Sequence, residues 1–243
     1  MDHSKYLLRS LLLNSALALC LVAPARLQLF IWEQGALIHA PFPTHLQPIN
    51  QSNTVDLDND GQLEQVTLKD SIVTIQRDGS SLWSSPPNWE VKQVEITDLN
   101  HDGQPEATLL LWRDFTPWPI DDYLVHPGRI QNFHDRRGDS CHLILIGWRQ
   151  QAFREIWAGS ALIDPLISFA TADLDNDGRD ELIALESRYD DNLGLNNAIT
   201  VWYWNGFGFT LLSRGPQGYI HAFRVVRTTE PINLLLVQGI SWR

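Results

Sequence analysis

Asp56-Leu57-Asp58-Asn59-Asp60-Gly61-Gln62-Leu63-Glu64 decides the fold, because the same pattern returns twice. The second copy is Asp98-Leu99-Asn100-His101-Asp102-Gly103-Gln104-Pro105-Glu106, and the third is Asp173-Leu174-Asp175-Asn176-Asp177-Gly178-Arg179-Asp180-Glu181. The shared form is D-L-[DN]-x-D-G-x-x-E. Three copies in 243 residues are an internal repeat. Their starts lie 42 and then 75 residues apart, and the wider gap holds a stretch with little periodicity, residues 113–141. Without that insert the second gap shrinks to about 46, and a unit of roughly 40 to 50 residues indicates a propeller or solenoid.

The flanks of each copy are strands. Gln65–Leu68, Ala107–Trp112 and Leu182–Leu185 follow the three motifs, and Val91–Ile96 and Ile167–Ala172 precede two of them. These short apolar or alternating runs fit strands and not helices. Each acidic loop therefore joins two strands. A second kind of hairpin alternates with the first: Ser71–Gln76 with Ser81–Ser84, His142–Trp148 with Phe153–Trp157, and Ala198–Trp204 with Phe209–Leu212. Asp78-Gly79 and Asn205-Gly206 are strong hairpin turns, since both residue types accept positive φ. Leu27–Trp32 with Ala36–His39 is a fourth member of this kind. Tyr219–Val226 with Ile232–Val237 is a fourth pair of the loop-bearing kind, with the acidic pattern lost from Arg227–Pro231. Four hairpins of each kind make an all-β array of about four four-stranded blades. The N-terminal hairpin is expected to complete the blade begun by the C-terminal one and so close the ring, because an open array would expose a sheet edge. An open array or pairing with a second chain is the alternative.

The acidic loops read as metal sites. Asp or Asn at positions 1, 3 and 5 (Asp56, Asp58, Asp60; Asp98, Asn100, Asp102; Asp173, Asp175, Asp177) bring side-chain oxygens to one point. The backbone carbonyl of position 7 (Gln62, Gln104, Arg179) and the Glu at position 9 (Glu64, Glu106, Glu181) complete the shell. Such a set suits Ca²⁺, a hard cation taking about 6 to 8 oxygens, better than Mg²⁺, which keeps its waters. Up to three Ca²⁺ are expected, with the second loop weakest because Asn100 removes a charge. The helical calcium loop needs an acid at position 12, and Thr67, Leu109 and Ala184 stand there.

With these loops between strands, the chain resembles the FG-GAP or VCBS calcium-binding repeats of integrin-α-type propellers, over roughly residues 50–215. The resemblance implies a β-propeller with calcium in its inter-strand loops, usually on exported or cell-surface proteins. It departs from the pattern in having material for about four blades instead of seven, and only a partial Phe-Gly echo at Gly206–Phe209.

The remainder bounds the function. Residues 1–25 read as a signal peptide: Lys5 and Arg9, an uncharged run Ser10–Ala23, and Ala23-Pro24-Ala25 as the cleavage site. An uncleaved anchor or a lipoprotein site at Cys20 are the alternatives. The chain is thus expected to be exported (periplasmic, cell-surface or secreted), with residues 26–243 as one domain. After cleavage Cys141 is the sole thiol. A net charge of −11 argues against nucleic acid and against anionic membranes, apart from the N-terminal segment. The insert carries Trp118, Tyr123, His126, Arg129 and His134, side chains suited to a glycan or protein ligand. Arg137-Gly138-Asp139 reads as the turn before the strand at His142. Most of the ten Trp fall on strands and are expected to pack between blades. The leading expectation is an exported calcium-binding module for binding or adhesion, with calcium structural. The alternatives are a carbohydrate-active lyase or hydrolase on the same scaffold, or a structural component of an envelope assembly.

Overall fold

A computed structural model describes residues 26–49, 52–117, 133–191, 193–228 and 233–239. These residues hold no helix and form four antiparallel sheets, arranged as a four-bladed β-propeller. Blade one is β4 (Thr54–Val55), β5 (Glu64–Lys69), β6 (Ile72–Arg77) and β7 (Ser80–Ser84). Blade two is β8 (Glu90–Thr97), β9 (Glu106–Asp114), β10 (Asp139–Arg149) and β11 (Ala152–Ala158). Blade three is β12 (Leu166–Ala172), β13 (Glu181–Glu186), β14 (Asn197–Trp204) and β15 (Phe209–Gly218). Within each of these three sheets the strands pair in chain order.

Blade four closes the ring from both ends of the chain. Its sheet runs β3 (Gln47–Pro48), β16 (Ile220–Arg227), β17 (Asn233–Gly239), β1 (Arg26–Glu33) and β2 (Ala36–Ala40). β1 pairs with β17 from Arg26↔Gly239 to Ile31↔Leu234, so the N-terminal hairpin completes the C-terminal blade as expected. Leu29, Ala40, Val226 and Leu234 pack together on one face of this blade, with Leu46 of the segment leading to blade one laid against them.

The second strands carry the core. Ala107 to Leu111 on β9 and Leu182 to Leu185 on β13 are buried throughout, which matches continuous apolar runs covered on both faces. Leu109, Leu111, Val66, Val73 and Ile75 join blades one and two. Leu110, Leu143, Phe169 and Leu182 join two and three, and Ile183, Leu185, Phe223 and Leu235 join three and four. The strand Trp residues pack as expected. Trp157, Trp204 and Phe209 meet edge-on at 5.2 to 5.6 Å, tying β11 of blade two to β14 and β15 of blade three.

Two boundaries differ from the sequence reading. The insert is narrower than 113–141, because β9 and β10 stay paired out to Asp114↔Asp139, with Trp112 opposite Cys141. Alternation continues through the polar Arg113, Asp114 and Ser140, which hid the pairing. The β5–β6 and β10–β11 turns are made by Asp70-Ser71 and Gln150-Gln151, all four at φ of 50 to 63°, with no glycine to announce them.

Candidate metal centres

All three acidic loops join the first and second strands of their blades, so they emerge on one face of the propeller. One hydrogen-bond scaffold repeats in each. The position-2 Leu is buried (Leu57, Leu99, Leu174) and anchors the loop to the core. Its N–H donates to the carboxylate at position 9: Leu57 to Glu64 at 2.8 Å, Leu99 to Glu106 at 2.7 Å and Leu174 to Glu181 at 2.9 Å. The position-1 carboxylate accepts from the N–H groups of positions 5 and 6, as in Asp60 and Gly61 to Asp56 at 3.1 and 2.9 Å. Asp98 and Asp173 do the same. The chain can wrap this way because position 6 is Gly61, Gly103 or Gly178, each at φ of 80 to 88°.

In the first loop Asp56, Asp58 and Glu64 bring one carboxylate oxygen each within 4.8 Å of one another, and Asp173, Asp175 and Glu181 do so in the third. These two acidic clusters could hold a metal ion. At position 5, Asp60, Asp102 and Asp177 accept from the N–H of Gln62, Gln104 and Arg179 respectively, at 2.8 to 2.9 Å. In the second loop no three carboxylates come together in this way. Asn100 turns its amide nitrogen to Asp102 at 3.1 Å, placing a donor where the other loops place an acid.

The three loops handle their charge differently. In the first, the Arg77 guanidinium bonds Asp58, Asp60 and Glu64. Asp60 is held below the usual carboxylate range, mainly by the Gln62 N–H and also by Arg77. In the second, Glu106 is fully buried and its Oε2 has no hydrogen-bond partner among the described residues. Burial pushes its pKa up to about 8, against the opposing bonds from Thr97 and Leu99. In the third, burial and then the neighbouring Asp175, Asp177 and Asp173 push Glu181 up to about 7. None of the five third-loop acids forms an ion pair with a described Lys or Arg; the loop's own Arg179 donates instead to the Tyr203 hydroxyl at 3.0 Å. The donor set is all oxygen. Glu106 and Glu181 are buried in their loops with no ion pair to a described Lys or Arg.

The loops also touch one another. The Gln104 amide donates to the Leu57 carbonyl at 3.2 Å, and His101 Nε2 donates to the Asp180 carbonyl at 3.1 Å. Asn233 Nδ2 donates to the Asp173 carbonyl at 2.6 Å. Asn233 lies opposite Arg227, as Glu106 lies opposite Thr97, so it holds in blade four the place of the position-9 Glu. Sequence reasoning missed Arg77, Asn233 and Tyr203 because they reach the loops through strand register and not through the motif.

Of the expected ligand-binding residues, Trp118, Tyr123, His126 and Arg129 lie outside the described residues, as does the expected signal peptide, residues 1–25. His134 packs on Phe115 with ring centroids 5.3 Å apart, and its Nδ1 donates to the Asp135 carbonyl at 2.7 Å. Its neighbour's carboxylate is committed to the Arg137 and Asp139 N–H groups and to the Arg137 guanidinium, so His134 and Asp135 form no acid–base pair. Arg137-Gly138-Asp139 closes the turn into β10, as expected. His134 lines a cavity of about 610 Å³ with Ile163, Asp164 and Arg188. Adjoining it is an apolar cavity of about 450 Å³ between blades two and three, lined by Trp157, Trp202 and Phe209, with Asp164, Glu186 and Arg214 paired at its polar side. A third, about 680 Å³, is lined by inner-strand residues including Glu95, Ser168 and Arg224. Cys141 is buried and its thiol is pushed up to about 12 by burial, so it is unreactive. A scan against protein-family models finds no match, and a search of curated proteins finds no relative.

Proposed function

We propose that this chain is an exported calcium-binding propeller of the FG-GAP or VCBS repeat type, acting as a binding or adhesion module in which calcium is structural. The observation that carries the calcium reading is the third loop. Asp173, Asp175 and Glu181 converge there with no ion pair to offset them, on a scaffold of backbone bonds that the other loops repeat. A divalent ion would neutralise that charge and pin the β12–β13 hairpin, and with it the geometry of blade three. The carbonyl of Arg179 and waters would fill the remaining positions. In the second loop an ion would have to displace the proton that burial holds on Glu106, so it would bind more weakly there.

The binding role is supported by the aromatic cavity between blades two and three and by the base of the insert beside it. Both are concave and share Ile163 and Asp164. A protein or glycan ligand would engage there, on rigid strands flanked by a long loop. Loss of glycan or protein capture in Trp202→Ala with an unchanged melting temperature would support that site. The enzyme alternative predicts turnover of a polysaccharide, and the envelope-assembly alternative a stable complex with no small-molecule ligand.

The calcium reading is tested by thermal melts of the chelator-stripped chain with added Ca²⁺ or Mg²⁺. Each occupied site is worth about 2.7 kcal/mol at a hundredfold excess over Kd, or roughly 5 to 10 °C in Tm for a domain of this size. Ca²⁺ is expected to raise Tm by that amount and Mg²⁺ much less. Equal response to both ions, or to neither, rejects it.

A further inference from the structure

We propose that Arg77 is the resident cation of the first acidic loop, so that this loop is closed by the chain's own guanidinium and takes no metal ion. The proposal rests on the calcium reading of the third loop, from which it separates the first. The two loops are alike in sequence and in backbone bonds, but only the first has a cation inside it. Arg77 Nη2 lies 2.8 Å from Asp58 Oδ2 and 2.5 Å from Glu64 Oε1, and Nη1 lies 2.7 Å from Asp60 Oδ2. Arg77 Nε donates to Glu64 Oε1 at 2.6 Å. The guanidinium thus uses both faces of its fork on three carboxylates, a geometry that a Lys point charge does not reproduce.

Two of the three carboxylates of the candidate cluster, Asp58 and Glu64, are therefore already bonded to Arg77. Glu64 is fully buried and the Arg77 side chain is 18% exposed, so water screens this contact little. An entering divalent ion would have to displace the guanidinium from Asp58 and Glu64. It would also leave a guanidinium close to a doubly charged ion.

Register explains why the other loops lack this device. Gln65 pairs with Gln76, so the next step sets Glu64 opposite Arg77. The same step on Ala107↔Ile146 sets Glu106 opposite Gly147, and on Leu182↔Trp202 it sets Glu181 opposite Tyr203. Gly147 has no side chain, and the Tyr203 hydroxyl is a neutral acceptor for Arg179. One residue type at one register position thus divides a loop with a bonded guanidinium from loops without one. The first blade keeps its loop formed when calcium is absent, while the third depends on it.

The test counts calcium bound per full chain by equilibrium dialysis, for wild type, Asp58→Asn, Arg77→Ala and Asp175→Asn, with circular dichroism confirming the fold. Asp58→Asn is expected to leave the wild-type count unchanged. Arg77→Ala is expected to gain one ion per chain, and the double variant Arg77→Ala/Asp58→Asn to lose it again. A wild-type count that falls by one in Asp58→Asn overturns the proposal, and this arm does not require Arg77→Ala to fold. An Arg77→Ala chain that folds but binds no more than wild type overturns it too. Asp175→Asn reads the third loop separately: an unchanged count there sinks the calcium reading of that loop, whatever Arg77 does.

Discussion

Removing residues 1–41, and with them β1 and β2, is expected to abolish the folded state of everything that remains. β17 would lose the partner strand it holds from Arg26↔Gly239 to Ile31↔Leu234, leaving a row of free N–H and C=O groups on an edge. The loss in packing is larger. Leu29 is fully buried and Phe30 nearly so, and Trp32, Ile31 and Leu37 pack against the same clusters. At about 1.5 to 3 kcal/mol for each fully buried side chain, and less for the others, the hairpin contributes roughly 5 to 10 kcal/mol. That is comparable with the whole stability of an ordinary domain, about 5 to 15 kcal/mol. Size-exclusion chromatography and circular dichroism of the truncated chain should report unfolded or associated protein. A circular permutant supplies the control. Because Arg26 sits opposite Gly239, a short linker from residue 239 to residue 26 can carry the same hairpin at the C-terminus. The permutant should melt cooperatively near the wild type. A truncated chain that stays monomeric and cooperative would show that the hairpin is an accessory and not the clasp of the ring.

That clasp was legible in the sequence, and the reason is periodicity. Leu27–Trp32 and Ala36–His39 have the pattern of the outer hairpins but no loop-bearing hairpin before them, while Tyr219–Val226 and Ile232–Val237 have the reverse. Two half-blades at opposite ends complete one another. The acidic loops were legible for a similar reason: Asp, Gly and Glu at fixed spacing leave the backbone one way to wrap. What the sequence hid is what register decides. Arg77 is 13 residues from Glu64 in the chain and in contact with it in space, and only the hairpin pairing of β5 with β6 links the two. Asn233 likewise takes a position-9 place without any motif around it. The ends of the insert were hidden because paired strands can continue through polar residues once their partners are fixed.

Glu106 should make the metal-free protein less stable as pH rises, the opposite of the usual carboxylate. Its folded pKa is pushed up from 4.5 to about 8, chiefly by burial. Between those two values the unfolded chain has released the proton and the folded chain still holds it, so stability must fall with rising pH. The contribution is fully present below pH 4.5 and is lost as pH climbs through 8. The gap amounts to on the order of 5 kcal/mol. Glu181, pushed up to about 7, acts in the same direction over a narrower range. Glu106→Gln keeps an acceptor for the Leu99 N–H and the Thr97 hydroxyl and cannot ionise, so it should match wild type near pH 5 and surpass it near pH 8. The measurement is the urea midpoint from pH 5 to 8 in chelator, and parallel curves for the two proteins would reject the assignment. The three loops then present three answers to one problem. Each folds a Glu into the protein beneath a ring of acids. The first loop offsets it with Arg77 and the second with a proton. The third, with neither a guanidinium nor so high a pKa, is the loop most in need of an ion, and added Ca²⁺ should flatten the pH dependence most through Glu181.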